Sequence, residues 1–292
     1  MLHALFGSLV GMDSSSTVSR TALTSAAARA AHLLVDHEPL IFVDPLAQVL
    51  LGERGDELIA YHQRFGSHPV LAGARAEVLC RSLFTETLLT ESALPQYVIL
   101  GAGLDTYAYR SGAGRSVFEV DHPASQAWKR QAVETAGISA HGGPTFVPVD
   151  LERDPLVEAL VEAGFDLARP SFVSLLGVSM YLSGSALEGV VAALASFAAG
   201  SQIVVDYMLT PELRDDAGRA YAEAVGAAVA EDGEPWLSFY TPDELTPIFV
   251  RHGFTSVRHV ALADSIDLGL WRRTDAVARM GLSGLLHATR QS

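Results

Sequence analysis

The chain has 292 residues, 49% of them hydrophobic, enough to bury a substantial core in one large domain or two small ones. Its 20 basic against 34 acidic residues give a formal charge of −14, with Lys129 as the single lysine and no basic stripe or run, so DNA, RNA and anionic membrane surfaces would be repelled. A lone cysteine, Cys80, rules out an internal disulfide framework and suits a reducing cytoplasm, and no uncharged apolar run approaches the roughly 20 residues that span a bilayer.

The opening MLHALFGSLVG is apolar but lacks a basic n-region and is short for a signal peptide; residues 1–16 are expected to form a flexible extension, with Met12 as an alternative start. Thr21 to Asp36 is Ala-rich and reads as a helix whose stripe is Ala27, Ala30, Ala31, Leu34 and Val35. The Pro-punctuated EPLIFVDPLA leads into short helices, and RAEVLCRSLFTETLL makes a longer one that ends before Pro95. Residues 17–95 thus read as a helical cap on the core, 96–292. In the core, strands expected near 97–101, 116–121, 145–150, 171–177 and 201–208 alternate with helical segments such as 183–199. That alternation predicts βαβ units and a mainly parallel sheet, with 17–292 as a single domain. Residues 211–240 form an insertion where a substrate lid fits. TPDELTPIFVRHGF reads as a capped helix with Asp243 and Glu244 at its start, and TSVRHVAL alternates like a half-buried strand.

Three strand ends carry the chemistry. In QYVILGAGLDTYAYR a buried apolar run stops at Gly101 and Gly103, which remove side chains where the backbone must turn and a ligand must come close. In RSVFEVDHP, Asp121 lies 20 residues beyond Gly101, the distance at which doubly wound sheets place a carboxylate for the two hydroxyls of a ribose. The competing reading makes Glu119 and Asp121 solvated strand-end charges. PTFVPVD ends in Asp150, which can accept from an adenine amino group while Leu151 packs on the ring; Asp150 can equally cap a helix beginning near Asp154. Together they predict a ligand along the carboxyl edge of one sheet.

The phrases VILGAGLDTYAYR, VFEVDHPASQAWKR, FVPVDLERD and PSFVSLLGVSMYL resemble the leucine carboxyl methyltransferase-like family of S-adenosylmethionine-dependent methyltransferases, in its bacterial branch, from about Thr21 to the C-terminus. The resemblance implies an α/β, class I methyltransferase Rossmann-like fold: a mainly parallel seven-stranded sheet with helices on both faces, and GLLHATR as a last, antiparallel strand. It implies S-adenosylmethionine as cofactor, with Gly101 and Gly103 at its methionine end, Asp121 on the ribose, and Asp150 and Leu151 flanking the adenine. RSLFTETLL resembles the family's Arg-Thr/Ser helix, so Arg81 inherits the cofactor carboxylate, which a guanidinium grips with two parallel hydrogen bonds. The plain alternative is a helix-surface i,i+4 pair of Arg81 with Glu77. One position departs from the family: Leu176 stands where many members carry an acid.

These readings predict methyl transfer to an oxygen, carboxylate or hydroxyl, of a small or medium acceptor, catalysed mainly by proximity, with Tyr109, Tyr181 and Tyr207 as pocket candidates. A cofactor-binding protein without catalysis is the alternative that Leu176 motivates. Gly177-Val178-Ser179-Met180-Tyr181 falls one residue short of a serine-hydrolase elbow because Tyr181 occupies its final glycine position, and Thr106 stands where an NAD fingerprint wants its third glycine. No metal is expected, since His122, His141, His252 and His259 lack ligand spacing. Cys80 reads as a small buried hydrophobe. Trp236 reads equally as pocket wall or as core.

Overall fold

The computed structural model of the chain describes residues 19–111, 114–138, 143–231 and 233–291; the expected extension, Met12 and His141 lie outside them. Helix α1 (Arg20–Val35) starts where the Ser19 hydroxyl accepts from the Ala22 N–H at 3.2 Å, satisfying one of the orphan donors of a helix start. Its buried face is built from Leu23, Ala26, Ala27, Ala30 and Ala31, small enough for close approach to α2 (Leu46–Leu51) and α3 (Glu53–Phe65). Leu34 departs from the expected stripe and is half exposed.

Helix α4 (Pro69–Ser92) is longer than the sequence pattern suggested and is the centre of the cap. In its first half Leu71, Ala72, Arg75, Ala76, Val78, Leu79 and Cys80 are all buried, so apolar contacts surround it and its charged residues are drawn inside with it. Arg75 is the clearest case. Its Nε and Nη2 grip the two oxygens of Asp36 at 2.7 and 2.9 Å, Nη2 also donates to the Gly66 carbonyl at 2.7 Å, and Nη1 reaches His62 Nδ1 at 3.2 Å. His32 completes the network: its Nε2 accepts from the Ile41 N–H, so Nδ1 carries the proton and donates to Asp36 at 2.8 Å. Burial pushes the Asp36 pKa up, but the hydrogen bonds from His32 and Arg75 outweigh it and the net shift is down.

The sheet has the order β3-β2-β1-β4-β5-β7-β6. Strands β1 (Gln96–Leu100), β2 (Ser116–Asp121), β3 (Thr145–Pro148), β4 (Ser171–Leu175) and β5 (Gln202–Met208) are parallel; β7 (Ser283–Thr289) enters antiparallel between β5 and the edge strand β6 (Arg258–Ala261). The third and fourth strands stop two residues earlier than expected. One face packs Val98, Leu100, Phe118, Val120, Val173 and Leu175 beneath α7 (Leu156–Glu162), α8 (Gly184–Leu194) and α10 (Pro242–Arg251). The other packs Tyr97, Ile99, Val117, Phe172 and Leu285 against α4, beside the short α5 (Tyr107–Arg110); α6 (Pro123–Thr135) follows β2. Thr241 and Glu244 form a reciprocal capping box at the start of α10. Helix α9 (Asp216–Glu231) occupies the insertion and lies against α4. Among the described residues no helix is long and apolar enough to cross a membrane.

Register sets the functional edge. Leu100 sits level with Val120 on one side and with Leu175 on the other, so the Gly101 turn, Asp121 and Leu176-Gly177 emerge side by side. The order of strand connections reverses between β1 and β4, where an open α/β sheet leaves its crevice.

The Arg75 network ties the cap together, so Arg75→Met is expected to strand the Asp36 carboxylate and lower stability by about 3–5 kcal/mol in denaturant unfolding. A loss below about 1 kcal/mol, the value of an exposed pair, would show that the network does not hold the cap.

Candidate active site

A cleft of about 670 Å³ opens along that edge. Its floor is Gly101 to Asp105 from the β1 turn, Asp121 from β2, Asp150 and Leu151 after β3, and Leu176-Gly177 after β4, with α1 as a roof through Thr21, Ala22 and Ser25. Arg81 closes one end. The structure therefore brings together Arg81, Gly101, Gly103, Asp121, Asp150 and Leu151, which sequence reasoning had drawn from four separate segments.

Gly101 is required twice over. Its φ is +68°, and a Cβ there would stand 2.3 Å from Val178 Cγ2. Asp121 is no solvated strand-end charge. Its Oδ2 accepts from the Gly103 N–H at 2.5 Å and its Oδ1 from the His122 N–H at 2.7 Å, which fixes the carboxylate across the Gly turn and leaves a lone pair on each oxygen for a ligand. Burial pushes its pKa up, against the pull of those two N–H groups. Glu119 is fully buried instead, its Oε2 2.6 Å from Lys129 Nζ. Asp150 does not cap the following helix, which starts at Leu156 after Pro155; its Oδ1 accepts from the Glu152 N–H at 3.0 Å in a local turn.

Arg81 is not half of a surface pair with Glu77. Its Nη1 donates to Asp206 Oδ2 at 2.9 Å, and Asp206 Oδ1 accepts from the Gly177 N–H at 2.7 Å. Gly177 has φ +70°, and a Cβ on it would fall 2.5 Å from the Arg81 guanidinium. Burial raises the Asp206 pKa, with Arg81 and the Gly177 N–H opposing. Sequence reasoning missed Asp206; the available signal was a lone acid inside the apolar run IVVDYM, since a buried carboxylate needs a partner. Leu176 lines the cleft, and the acid its position lacks stands one strand over, behind Arg81.

Beyond Arg81 lies a second volume of about 210 Å³. It shares Thr21, Ser25, Val78, Arg81, Gly177 and Tyr181 with the cleft, and Tyr61, Leu71, Met180, Met208, Tyr221 and Trp236 make the rest of it largely apolar. Tyr181 lines both volumes, its hydroxyl accepting from Trp236 Nε1 at 3.3 Å. Tyr109 and Tyr207 do not. The Tyr109 hydroxyl is buried without a partner and its ring faces Lys129. Tyr207 is a core residue of β5 whose hydroxyl bonds His259 Nδ1 at 2.8 Å; both side chains follow the inward face of their elements and line neither volume. Ser179 is buried and donates to the Asp206 carbonyl at 2.5 Å, which occupies the hydroxyl that an elbow nucleophile would need free. Burial drives the Cys80 thiol far up, as for an inert core residue.

The strand order and the single antiparallel insertion define the class I methyltransferase fold. A protein from Thermobifida fusca, provisionally described as a methyltransferase, shares it with a TM-score of 0.60 over 96% of this chain and 97% of that one, at 18% identity. The leucine carboxyl methyltransferase profile matches residues 22–195. YktD of Bacillus subtilis, provisionally named an S-adenosyl-L-methionine-dependent methyltransferase, is 30% identical over 94% of this chain and 98% of its own length. A Mycobacterium avium protein of the same provisional name is 31% identical over 94% and 95%. The chain belongs to the leucine carboxyl methyltransferase family. With the family come its reaction class, methyl transfer, and its methyl donor, S-adenosylmethionine.

Because Gly101 combines a left-handed backbone with the Val178 contact, Gly101→Ala is expected to lower stability by about 1–3 kcal/mol. Chemical denaturation with an unchanged midpoint would show that the turn is not constrained.

Proposed function

We propose that the protein transfers the methyl group of S-adenosylmethionine to an oxygen of a small or medium acceptor, with the donor in the cleft and the acceptor in the adjoining chamber. One observation carries the reading: a cleft with a carboxylate fixed across a Gly turn shares a wall, at Arg81 and Tyr181, with a second, largely apolar chamber. The cleft residues suit the donor. Asp121 offers an acceptor pair to the ribose, Asp150 and Leu151 flank the place for the adenine, and Arg81 retains guanidinium donors beyond the one given to Asp206 for the methionine carboxylate. Asp206 holds that guanidinium in place. When bound, the donor supplies an already activated methyl group; the chain's part is to align the acceptor oxygen and exclude water. An oxygen acceptor is supported by the carboxyl group in the matching family's description.

Two variants and two ligands test the assignment by calorimetry. Arg81→Ala is expected to weaken S-adenosylhomocysteine by about 1.5–3 kcal/mol and to leave 5′-methylthioadenosine, which lacks the amino-acid end, nearly unchanged. Asp121→Asn is expected to weaken both by about 1–3 kcal/mol. Equal losses for the two ligands in Arg81→Ala would assign that residue to the integrity of the cap, and tighter binding of NAD than of either would overturn the cleft assignment.

A further inference from the structure

Among the described residues two acids line the chamber, the exposed Glu57 and the partly buried Glu77. Glu77 lies one helical turn before Arg81 on α4, where a serine on β7 holds half of it: Ser283 Oγ donates to Glu77 Oε2 at 2.5 Å. The other oxygen, Oε1, is buried and has no hydrogen-bond partner. Glu77 is among the residues that line the chamber. A carboxylate oxygen left unpaired in an apolar wall costs stability that a purely structural residue would not demand.

The other polar groups of the chamber leave that oxygen without a cationic competitor. Arg81 gives one donor to Asp206, and its remaining donors are those assigned to the methionine carboxylate. His62 is held neutral, its pKa pushed down to about 4 by burial and then by Arg75. The volume exceeds the roughly 150 Å³ that admits benzene in an apolar protein cavity, so a substituted single ring fits. Aromatic walls from Tyr61, Tyr181, Tyr221 and Trp236 suit the same shape.

We infer that the acceptor is a neutral, single-ring aromatic alcohol of the phenol type, and that Glu77 takes its proton. The inference rests on the oxygen-transfer reading above. As the phenol oxygen bonds to the methyl carbon, the carbon–sulfur bond breaks with its electron pair left on sulfur, and the phenolic proton passes to Glu77 Oε1. An anionic carboxylate acceptor is disfavoured, because it meets Glu77 with no uncommitted cation beside it.

The ionisation of Glu77 suits the task. Burial pushes its pKa up to about 7; the Ser283 hydrogen bond and Arg81 pull it down, and Asp206 and Asp215 push it up. Tyr221 on α9 and Cys80 on its own helix face it as neutral groups, their own pKa values raised by burial, and His62 and Glu57 of α3 line the same chamber. A base poised near the working pH is the efficient one.

The experiment compares 4-methylphenol with 4-methylbenzoate, first as ligands of the complex with S-adenosylhomocysteine, where no turnover occurs, and then as acceptors. At pH 8 wild type is expected to bind the phenol about tenfold or more tighter than the benzoate, and Glu77→Gln to narrow that gap by admitting the benzoate, since like charges repel strongly in an apolar site. In turnover, Glu77→Gln is expected to lower kcat for the phenol by about 10²–10⁴-fold with KM little changed, and to abolish the rise of wild-type kcat through pH 7. Ser283→Ala keeps the carboxylate but removes a bond to its ionised form, so the same rise is expected at higher pH; this variant serves if Glu77→Gln folds poorly. A preference for the benzoate, a pH profile unmoved in Ser283→Ala, or phenol turnover in Glu77→Gln within about threefold of wild type, below the smallest general-base contribution, would overturn the proposal. Ester formation on the benzoate alone would overturn it while sparing oxygen transfer, whereas methylation of 4-methylthiophenol with neither oxygen acceptor used would overturn both.

Discussion

The Arg81–Asp206 ion pair is the joint on which the site is built. It links the central cap helix α4 to strand β5, and through the Gly177 N–H it also fixes the loop that leaves β4. The side chains retain 13% and 3% of their exposure, so the attraction acts with little screening and the hydrogen bonds supply what desolvation removes. Breaking such a pair from one side leaves an uncompensated charge, which is why Gly177 cannot carry a side chain: the space its Cβ would need is already filled by the guanidinium. The position of Arg81 at the boundary of cleft and chamber follows from this pair rather than from anything in either volume.

The sheet does the complementary work. Because β1, β2 and β4 run parallel and in level register, three chain segments far apart in sequence deliver a Gly turn, a carboxylate and a second Gly turn to one edge. This is why so much of the cleft was legible in the sequence. Apolar runs such as YVIL and VFEV are recognisable as strands covered on both faces, and where such a run stops the residue types point to the proposed job: Gly101 for close approach, Asp121 for paired acceptance. The resemblance to the family added Arg81, whose sequence context alone suggested only a solvated i,i+4 pair.

What was not legible lies on α4 and among the aromatics. Pattern reading assigns charge to solvent, but a helix buried nearly all round in its first half has no solvent face to which Arg75 and Glu77 can turn. Their partners, Asp36 and Ser283, lie 39 and 206 residues away, beyond any local spacing rule. Tyrosine is ambiguous for a different reason. Its ring suits a core and its hydroxyl suits a pocket, so Tyr109, Tyr181 and Tyr207 look alike until the fold sends the first and last inward and only Tyr181 to the wall.

The 211–240 insertion shows how the chamber's chemistry depends on its covering. Helix α9 buries only Gly218, Val225 and Val229 among its described residues, yet Tyr221 approaches α4 closely because Gly73 offers no Cβ; one added there would meet the ring at 3.0 Å. A glycine inside a helix costs about 1 kcal/mol relative to alanine, and here it admits an aromatic ring over the chamber on the side of Glu77. The same covering that makes the chamber apolar also pushes up the pKa values of Glu77, Tyr181 and Tyr221 and keeps His62 neutral. One packing arrangement therefore fits both the shape and the charge of the proposed acceptor: a flat molecule that arrives neutral and leaves a proton behind.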